Sequence, residues 1–240
     1  MFIKIVVVLL LLIVVVSLLG GRMLPGPART AVRKTPVLRT LMLRIAAVLV
    51  AIGVVLAALH LSGCSKPDES FHATNITGAP FGRSFDLADH TGRRVASADF
   101  LGKVVVIFFG YTQCPDICPT TLTAMKEAMS LLGPEAERVQ VLFVTVDPER
   151  DTPAVLAAYV PWFDARFLGL YGDANATLEI AREFRVFYAK VKGETALGYS
   201  IDHSATSYAY DSQGHIRLLI RHGETPQNIA ADLQKLLAGK

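Results

Sequence analysis

The chain has 240 residues, of which 52% are hydrophobic, and carries 24 Lys and Arg against 21 Asp and Glu, a formal net charge of +3. Low charge, ordinary Gly and Pro contents and only three Cys exclude a disordered, collagen-like or disulfide-scaffold protein. The charge is uneven, because residues 1–63 hold seven basic and no acidic side chains, which leaves residues 64–240 with a net charge of −4. The basic character belongs to the N-terminal region alone, so a nucleic-acid-binding function loses its support.

Two apolar runs dominate the N-terminal region, at residues 5–19 and 45–61, and a basic stretch separates them. Each run is slightly short of a bilayer core roughly 30 Å thick at about 1.5 Å per residue. We predict a transmembrane segment and a basic cytoplasmic loop at residues 1–41, or else a true start at Met42. Residues 42–63 have the basic start, apolar run and small terminal residues of a lipoprotein-type signal, or form an uncleaved membrane anchor.

The second run ends in LSGC at residues 61–64, which resembles the lipobox of bacterial lipoproteins. Cys64 is therefore the predicted lipidation site, unless the helix remains uncleaved and spans the membrane. Because positive charge stays on the cytoplasmic side, either arrangement anchors the protein to a bacterial cell membrane with its domain on the periplasmic side. Residues 64–80 lack apolar periodicity and are predicted to be a tether, and residues 81–240 a single folded domain.

Strand and helix patterns alternate along this domain. The predicted strands and helices, in chain order, are a hairpin at 81–95, strand 103–109, helix 120–132, strand 139–146, helix 151–159, strand 167–171, helix 175–184, strands 207–210 and 216–221, and helix 225–237. Strands separated by helices, with a closing hairpin and helix, predict an α/β domain with a mixed central sheet flanked by helices. The order of elements matches a thioredoxin-like fold.

The two Cys of the domain, Cys114 and Cys118, lie in the predicted loop between a buried strand and a helix. Free N–H groups and a partial positive charge at a helix N-terminus favour thiolates. The spacing allows a disulfide or joint ligation of one metal ion, so redox exchange, metal binding and a purely structural role are all open. Zinc and iron–sulfur sites normally take more Cys than the domain has, whereas copper accepts fewer ligands and prefers sulfur with imidazole.

His203 is the candidate imidazole ligand. It lies in a predicted polar loop at residues 200–204, which faces the Cys loop in a thioredoxin-like topology, although a lone His is more often an ordinary hydrogen-bonded residue. Three further polar residues, Asp147, Arg150 and Asp151, follow the second buried strand. We expect Arg150 and Asp151 to pair with each other or to hold loop backbone.

Three segments together resemble the signature motifs of the Sco/SenC family, namely residues 109–119 (FGYTQCPDICP), 146–152 (VDPERDT) and 202–204 (DHS). The resemblance implies a membrane-tethered, thioredoxin-like copper protein that helps assemble the binuclear copper centre of cytochrome c oxidase. It implies copper bound by Cys114, Cys118 and His203. It also implies that the copper-accepting subunit of the oxidase is a partner, beside other periplasmic copper chaperones or thiol reductants.

Two functions of different class follow. A copper metallochaperone is not a classical enzyme, whereas a periplasmic thiol–disulfide oxidoreductase would use Cys114 and Cys118 as a redox pair without a metal. Redox enzymes of this fold generally have two residues between their two Cys. They also have a Pro immediately before the strand that faces the Cys pair. The three intervening residues and the sequence after His203, which has no such Pro, favour the metal. A peroxiredoxin-like peroxidase is disfavoured, because Thr112 lies two rather than three residues before Cys114.

Overall fold

The computed structural model describes residues 44–55, 70–192 and 198–240. The predictions for residues 1–43 and for lipidation of Cys64 lie outside these residues. Residues 44–55 are helical, and none of the helices in the described ranges has the length and apolarity needed to cross a membrane. The chain divides after Lys66 into two units, and all features below belong to the second, residues 67–240.

Ten strands lie among the described residues of this unit. They are β1 (Thr74–Asn75), β2 (Asp86–Asp89), β3 (Arg94–Ala96), β4 (Val104–Gly110), β5 (Val139–Thr145), β6 (Leu168–Tyr171), β7 (Tyr188–Lys192), β8 (Tyr199–His203), β9 (Thr206–Tyr210) and β10 (Ile216–Arg221). Eight form one sheet in the order β1-β10-β9-β4-β5-β6-β2-β3, in which β4, β5 and β6 are parallel and the other neighbours antiparallel. The remaining two, β7 and β8, form a separate antiparallel hairpin.

Among the described residues, four α-helices cover this sheet, and the sequence explains where three of them begin. They are α1 (Ile117–Leu132), α2 (Pro153–Phe163), α3 (Ala174–Glu183) and α4 (Pro226–Leu237). The side chains of Thr152, Asp173 and Thr225 each accept a hydrogen bond from a backbone N–H in the first turn of α2, α3 and α4. Pro in the first turn of α2 and α4 has a backbone angle already suited to a helix.

The core lies on both faces of the sheet, and β4 is buried along its whole length. Its side chains alternate, so Val106 and Phe108 pack into one cluster with α1 and α4, while Ile107 and Phe109 pack into the other with α3. Two buried faces explain why β4 and β5 read as continuous apolar runs. The predicted thioredoxin-like fold, with a mixed sheet flanked by helices, is confirmed.

The structure differs from the sequence prediction around both candidate ligand segments. Helix α1 begins at Ile117, three residues earlier than predicted, which places Cys118 in its first turn. Residues 200–203 were predicted as part of a polar loop, and this is wrong, because they belong to β8. In that strand only Ile201 is buried, so the apolar signal of a strand is absent from its sequence.

Residues 70–80, which the sequence assigns to the tether, pack on the folded unit. β1 pairs with the edge of β10, and the buried carboxylate of Asp232 in α4 accepts hydrogen bonds from the backbone amides of His72 (3.0 Å) and Ala73 (2.8 Å). The Lys235 ammonium donates to the carbonyl of Ser70 at 2.8 Å. The folded unit therefore extends to the N-terminal side of residue 81, and residues 64–69 lie outside the described ranges.

Candidate metal centre

The two thiols lie at the carboxyl end of β4, where the parallel strands of the sheet end. Cys114 follows β4 in a turn in which its backbone amide donates to the carbonyl of Tyr111 at 3.3 Å, and its side chain is partly exposed. Cys118 lies in the first turn of α1 and has no exposed surface. Both are free thiols, so a reagent or partner from solvent reaches Cys114 before Cys118.

His203, the last residue of β8, lies beside this pair. Its Nε2 atom is 3.5 Å from the sulfur of Cys118, and the donor atoms of Cys114, Cys118 and His203 all lie within 4.8 Å of one another. The imidazole packs edge-on against the rings of Tyr111 and Phe108, with centroids 5.8 and 6.2 Å away. The structure thus brings together the three side chains that the sequence analysis named.

The tautomer of His203 follows from its other ring nitrogen. Nδ1 lies 3.0 Å from the carbonyl oxygen of Ser204, and because a carbonyl can only accept, Nδ1 carries a proton and donates it. In the neutral ring Nε2 then has a free lone pair, and it faces the thiols. A backbone carbonyl that orients the far nitrogen is the usual arrangement for a metal-binding His.

The two thiols titrate in opposite directions. The hydrogen bond from Cys118 is the largest influence on Cys114 and, with hydrogen bonds from two backbone amides, it holds the pKa of Cys114 well below its usual range. The same contact with Cys114, together with burial, raises the pKa of Cys118. In the metal-free state the pair therefore shares one proton, which stays on the buried sulfur, while Cys114 is the thiolate.

The loop that follows β5 supports both parts of this centre. The Asp151 carboxylate is buried and accepts hydrogen bonds from the backbone amide of Thr112 (3.0 Å), the Thr112 hydroxyl (2.6 Å) and the Thr145 hydroxyl (2.6 Å). Burial is the largest influence on its pKa and raises it, against these hydrogen bonds. Asp151 thus holds the backbone two residues before Cys114.

Arg150 of the same loop contacts the hairpin that carries His203. Its Nε donates to the carboxylate of Asp147, its Nη1 donates to the carbonyl of Tyr199 at 2.8 Å, and its guanidinium lies 3.7 Å from the centroid of the Tyr199 ring. Arg150 thus pairs with Asp147 and not with Asp151, so the expectation of an Arg150–Asp151 pair is wrong. The alternative that they hold loop backbone is met by Asp151, which accepts from the Thr112 amide, whereas Arg150 holds the backbone of a strand. Tyr199 was not singled out from the sequence, because nothing in its surroundings marks it.

The donor set determines which metal ions the centre suits. Among the described residues, these three form the one cluster of His, Cys, Asp or Glu side chains close enough to share an ion. Two thiolates and one imidazole are soft ligands, and three donors are one short of the four that structural zinc takes. The arrangement fits copper, which accepts a low coordination number and prefers sulfur.

Comparison with known proteins gives a consistent set of relatives. The SCO1/SenC family model matches residues 73–238. The mitochondrial SCO2 homolog of Bos taurus is 37% identical over 196 residues, covering 79% of this chain and 73% of the relative. Two solved structures cover nearly all of their own chains: Bradyrhizobium japonicum ScoI with copper bound (TM-score 0.61, 38% identity, 65% of this chain and 99% of that one) and apo Sco1 from Thermus thermophilus (TM-score 0.63, 42% identity, 72% and 100%).

Proposed function

The chain belongs to the SCO1/SenC family, and on that premise we propose that it is a copper metallochaperone that acts in the assembly of cytochrome c oxidase. Copper is its cargo, held by Cys114, Cys118 and His203. The observation that carries the proposal is the approach of two thiols and an imidazole with a free Nε2 to within 4.8 Å of one another. The copper-bound relative from Bradyrhizobium japonicum supports the choice of metal.

The geometry suits a ligand set that must both hold and release copper. Soft sulfur ligands favour copper, and binding requires both thiols to be deprotonated, so loading releases the proton that Cys118 keeps. Cys114 is the more exposed of the two sulfurs, so a thiolate from an accepting protein reaches the metal on its side. Stepwise replacement of the ligands by the cysteines of the acceptor then moves copper without leaving it uncoordinated in solution.

We propose the copper-accepting subunit of cytochrome c oxidase as the principal partner, with other periplasmic copper chaperones or thiol reductants loading or reducing the centre. The proposed location is the periplasmic side of a bacterial membrane. The anchor would be a lipid on Cys64 or an uncleaved helix at residues 42–63, preceded by a further segment at residues 1–41. This rests on the basic and apolar pattern of the N-terminal region.

A thiol–disulfide oxidoreductase is the second candidate, and the observation that favours it is the acid–base asymmetry of the thiols. A thiolate at Cys114 attacks a partner disulfide, and the thiol of Cys118, four residues away, then resolves the mixed disulfide. The reaction would reduce the partner disulfide and leave a disulfide between Cys114 and Cys118. His203 has no necessary part in this exchange, which separates the two candidates.

Anaerobic titration with Cu(I) of the reduced full chain tests the proposal. Near-stoichiometric tight binding is expected, and it should be lost in His203→Ala, Cys114→Ser and Cys118→Ser. His222→Ala is the matched control, because its Nδ1 contacts the Thr121 hydroxyl (3.1 Å) outside the Cys–Cys–His cluster. Weak copper binding together with ready reduction of a partner disulfide would instead favour the oxidoreductase.

The anchor has its own test. Mass spectrometry of the mature protein from membranes should find an N-terminus at Cys64 that carries acyl groups. An unmodified chain beginning at Met1 would contradict the lipoprotein prediction, and a chain retaining residues 42–63 would support the uncleaved helix.

A further inference from the structure

The candidate metal centre has a cysteine half, the segment that carries Cys114 and Cys118, and a histidine half, the hairpin that carries His203. The loop after β5, residues 147–151, contacts both halves, although none of its side chains is a proposed ligand. We propose that this loop sets the position of the imidazole relative to the two thiols, with Arg150 as the positioning residue for His203 and Asp151 for the Cys segment. The inference rests on the proposed function, because it concerns the copper ligands themselves. It adds residues that act on copper affinity without touching the metal.

The histidine half needs such a support because of how it is attached. His203 ends β8, and among the described residues β8 pairs with β7 alone, so no ladder of strand hydrogen bonds in these ranges joins the hairpin to the main sheet. Its described links to the rest of the unit include burial of Ile201, packing of the His203 ring against Tyr111 and Phe108, and side-chain contacts with residues 147–150. Within this set, Arg150 holds the backbone carbonyl and the ring of Tyr199, the residue at which β8 begins.

Asp147 makes the Arg150 contact rigid. Its side chain is fully buried, pairs with the Arg150 guanidinium, and accepts a hydrogen bond from the Tyr199 hydroxyl at 2.8 Å. Arg150 thus contacts the carbonyl and the ring face of Tyr199, while Asp147 accepts a hydrogen bond from the Tyr199 hydroxyl. The residue that begins β8 is therefore held by three contacts. Charge-assisted hydrogen bonds of this kind are strong when buried, and removing one partner leaves the other unpaired.

The cysteine half is held from the same short loop. Asp151, next to Arg150 in sequence, accepts both the backbone amide and the hydroxyl of Thr112, two residues before Cys114. The third hydrogen bond of Asp151, from Thr145 at the end of β5, fixes the loop to the central sheet. Adjacent residues of this loop therefore contact the two segments that meet at the metal, so the loop contributes to the separation of imidazole and sulfur.

Metal affinity is sensitive to such support, since ligand distances within about 0.2 Å matter and outer partners of ligands typically contribute about 10- to 100-fold in affinity. We expect Arg150→Gln in the reduced full chain to weaken Cu(I) binding by about 10- to 100-fold, measured by competition with a coloured Cu(I) chelator. Tyr199→Phe, which keeps the ring face and loses only the hydroxyl, should give a smaller loss.

A double-mutant cycle tests whether Arg150 acts through the histidine. In a His203→Ala background, in which the residual weak Cu(I) binding is measured by the same competition, the Arg150→Gln change should cause no further loss of copper affinity. An equal loss in both backgrounds would overturn the inference. Arg166→Gln is the matched control, because Arg166 pairs with Asp164 at 2.6 Å just before β6, at the amino end of the parallel strands. It should leave copper affinity unchanged, and a loss equal to that of Arg150→Gln would also overturn the inference.

A metal-free measurement separates this inference from the proposed function. Amide hydrogen exchange of the apo protein should become faster at residues 199–203 in Arg150→Gln while remaining unchanged in β4, since the hairpin loosens and the central sheet does not. Unchanged exchange at residues 199–203 would overturn the positioning role even if wild-type copper binding is tight. Failure of the wild-type chain to bind Cu(I), with the expected exchange pattern, would overturn the copper function and leave the role of Arg150 in holding the hairpin supported.

Discussion

Substitution of Gly110 by Ala tests how closely α1 approaches the end of β4. Gly110 is the last residue of β4, and a Cβ atom built on it would lie 2.7 Å from the sulfur of Cys118, 2.9 Å from the ring of Phe143 and 3.1 Å from the ring of Phe108. Favourable contacts between such atoms need about 3.5 to 4.0 Å. The added methyl group therefore requires a displacement of about 1 Å at the sulfur.

The displaced groups are buried and belong to three different elements, so none can move without disturbing a neighbour. Overpacking of this kind typically costs about 1 to 3 kcal/mol. For a domain of this size each kcal/mol lowers Tm by about 2 to 4 °C, so we expect a Tm lower by about 2 to 12 °C. A sulfur displaced by about 1 Å also exceeds the tolerance of about 0.2 Å for a metal ligand, so copper affinity should fall as well.

Thermal unfolding followed by circular dichroism, and Cu(I) competition on the same samples, measure the two effects. Gly169→Ala is the matched control, since its Cβ would meet Val160 at 3.1 Å and Leu156 at 3.2 Å, outside the metal centre. It should lower Tm and leave copper affinity unchanged. In a Cys118→Ala background the cost of Gly110→Ala should shrink, because the shortest contact is gone. A Gly110→Ala variant with wild-type Tm and copper affinity would refute the close approach of sulfur and strand.

Two further predictions concern the thiolate and the N-terminal strand. Hydrogen bonds from Cys118 and the backbone lower the pKa of Cys114, so in the metal-free reduced protein its rate of attack on a small disulfide should change little between about pH 6 and 8. An ordinary thiol, with a pKa of about 8.5, reacts nearly tenfold faster per pH unit over that range, and such a dependence for Cys114 would contradict the assignment. Asp232→Asn removes one of the two acceptors for the backbone amides of residues 72 and 73, and should lower the free energy of unfolding in urea by about 1 to 3 kcal/mol with copper affinity unchanged. An unchanged midpoint would mean that these residues are not held by α4.

The helices and strands that could be located from the sequence are those that show a recognisable sequence pattern, such as an apolar run or a helix-start signal. β4 and β5 are buried on every residue and read as apolar runs, and the starts of α2 and α4 carry a Thr–Pro pair. The hairpin of β7 and β8 was missed because it is largely exposed and its strands mix charged, polar and aromatic residues. Its position is supported by contacts with residues 147 and 150, which are distant in sequence.

The three candidate ligands of the metal centre could be predicted from the sequence, but the contacts of the residues that hold them in place could not. The Cys pair stands out because no other Cys lies in the domain, but His203 was singled out only through fold-level reasoning and family resemblance. The partners of Arg150 and Asp151 were not predictable, because either residue could pair with a neighbour in sequence. Which partners they take depends on which side chain becomes buried in the folded protein. In the folded protein Asp151 turns inward to Thr112 and Thr145, while Arg150 turns to Asp147 and the hairpin.

The attachment of β1 has a mechanical consequence. A pull on the chain before residue 70 is transmitted first to the two-residue pairing of β1 with β10 and to the Asp232 and Lys235 contacts in α4. In the sheet order, β10 and β9 lie between β1 and β4, the strand that leads into the Cys loop. Force applied from an N-terminal attachment point would therefore detach β1 from β10 before it deformed β4. The strand that separates first is one that does not position the candidate ligands.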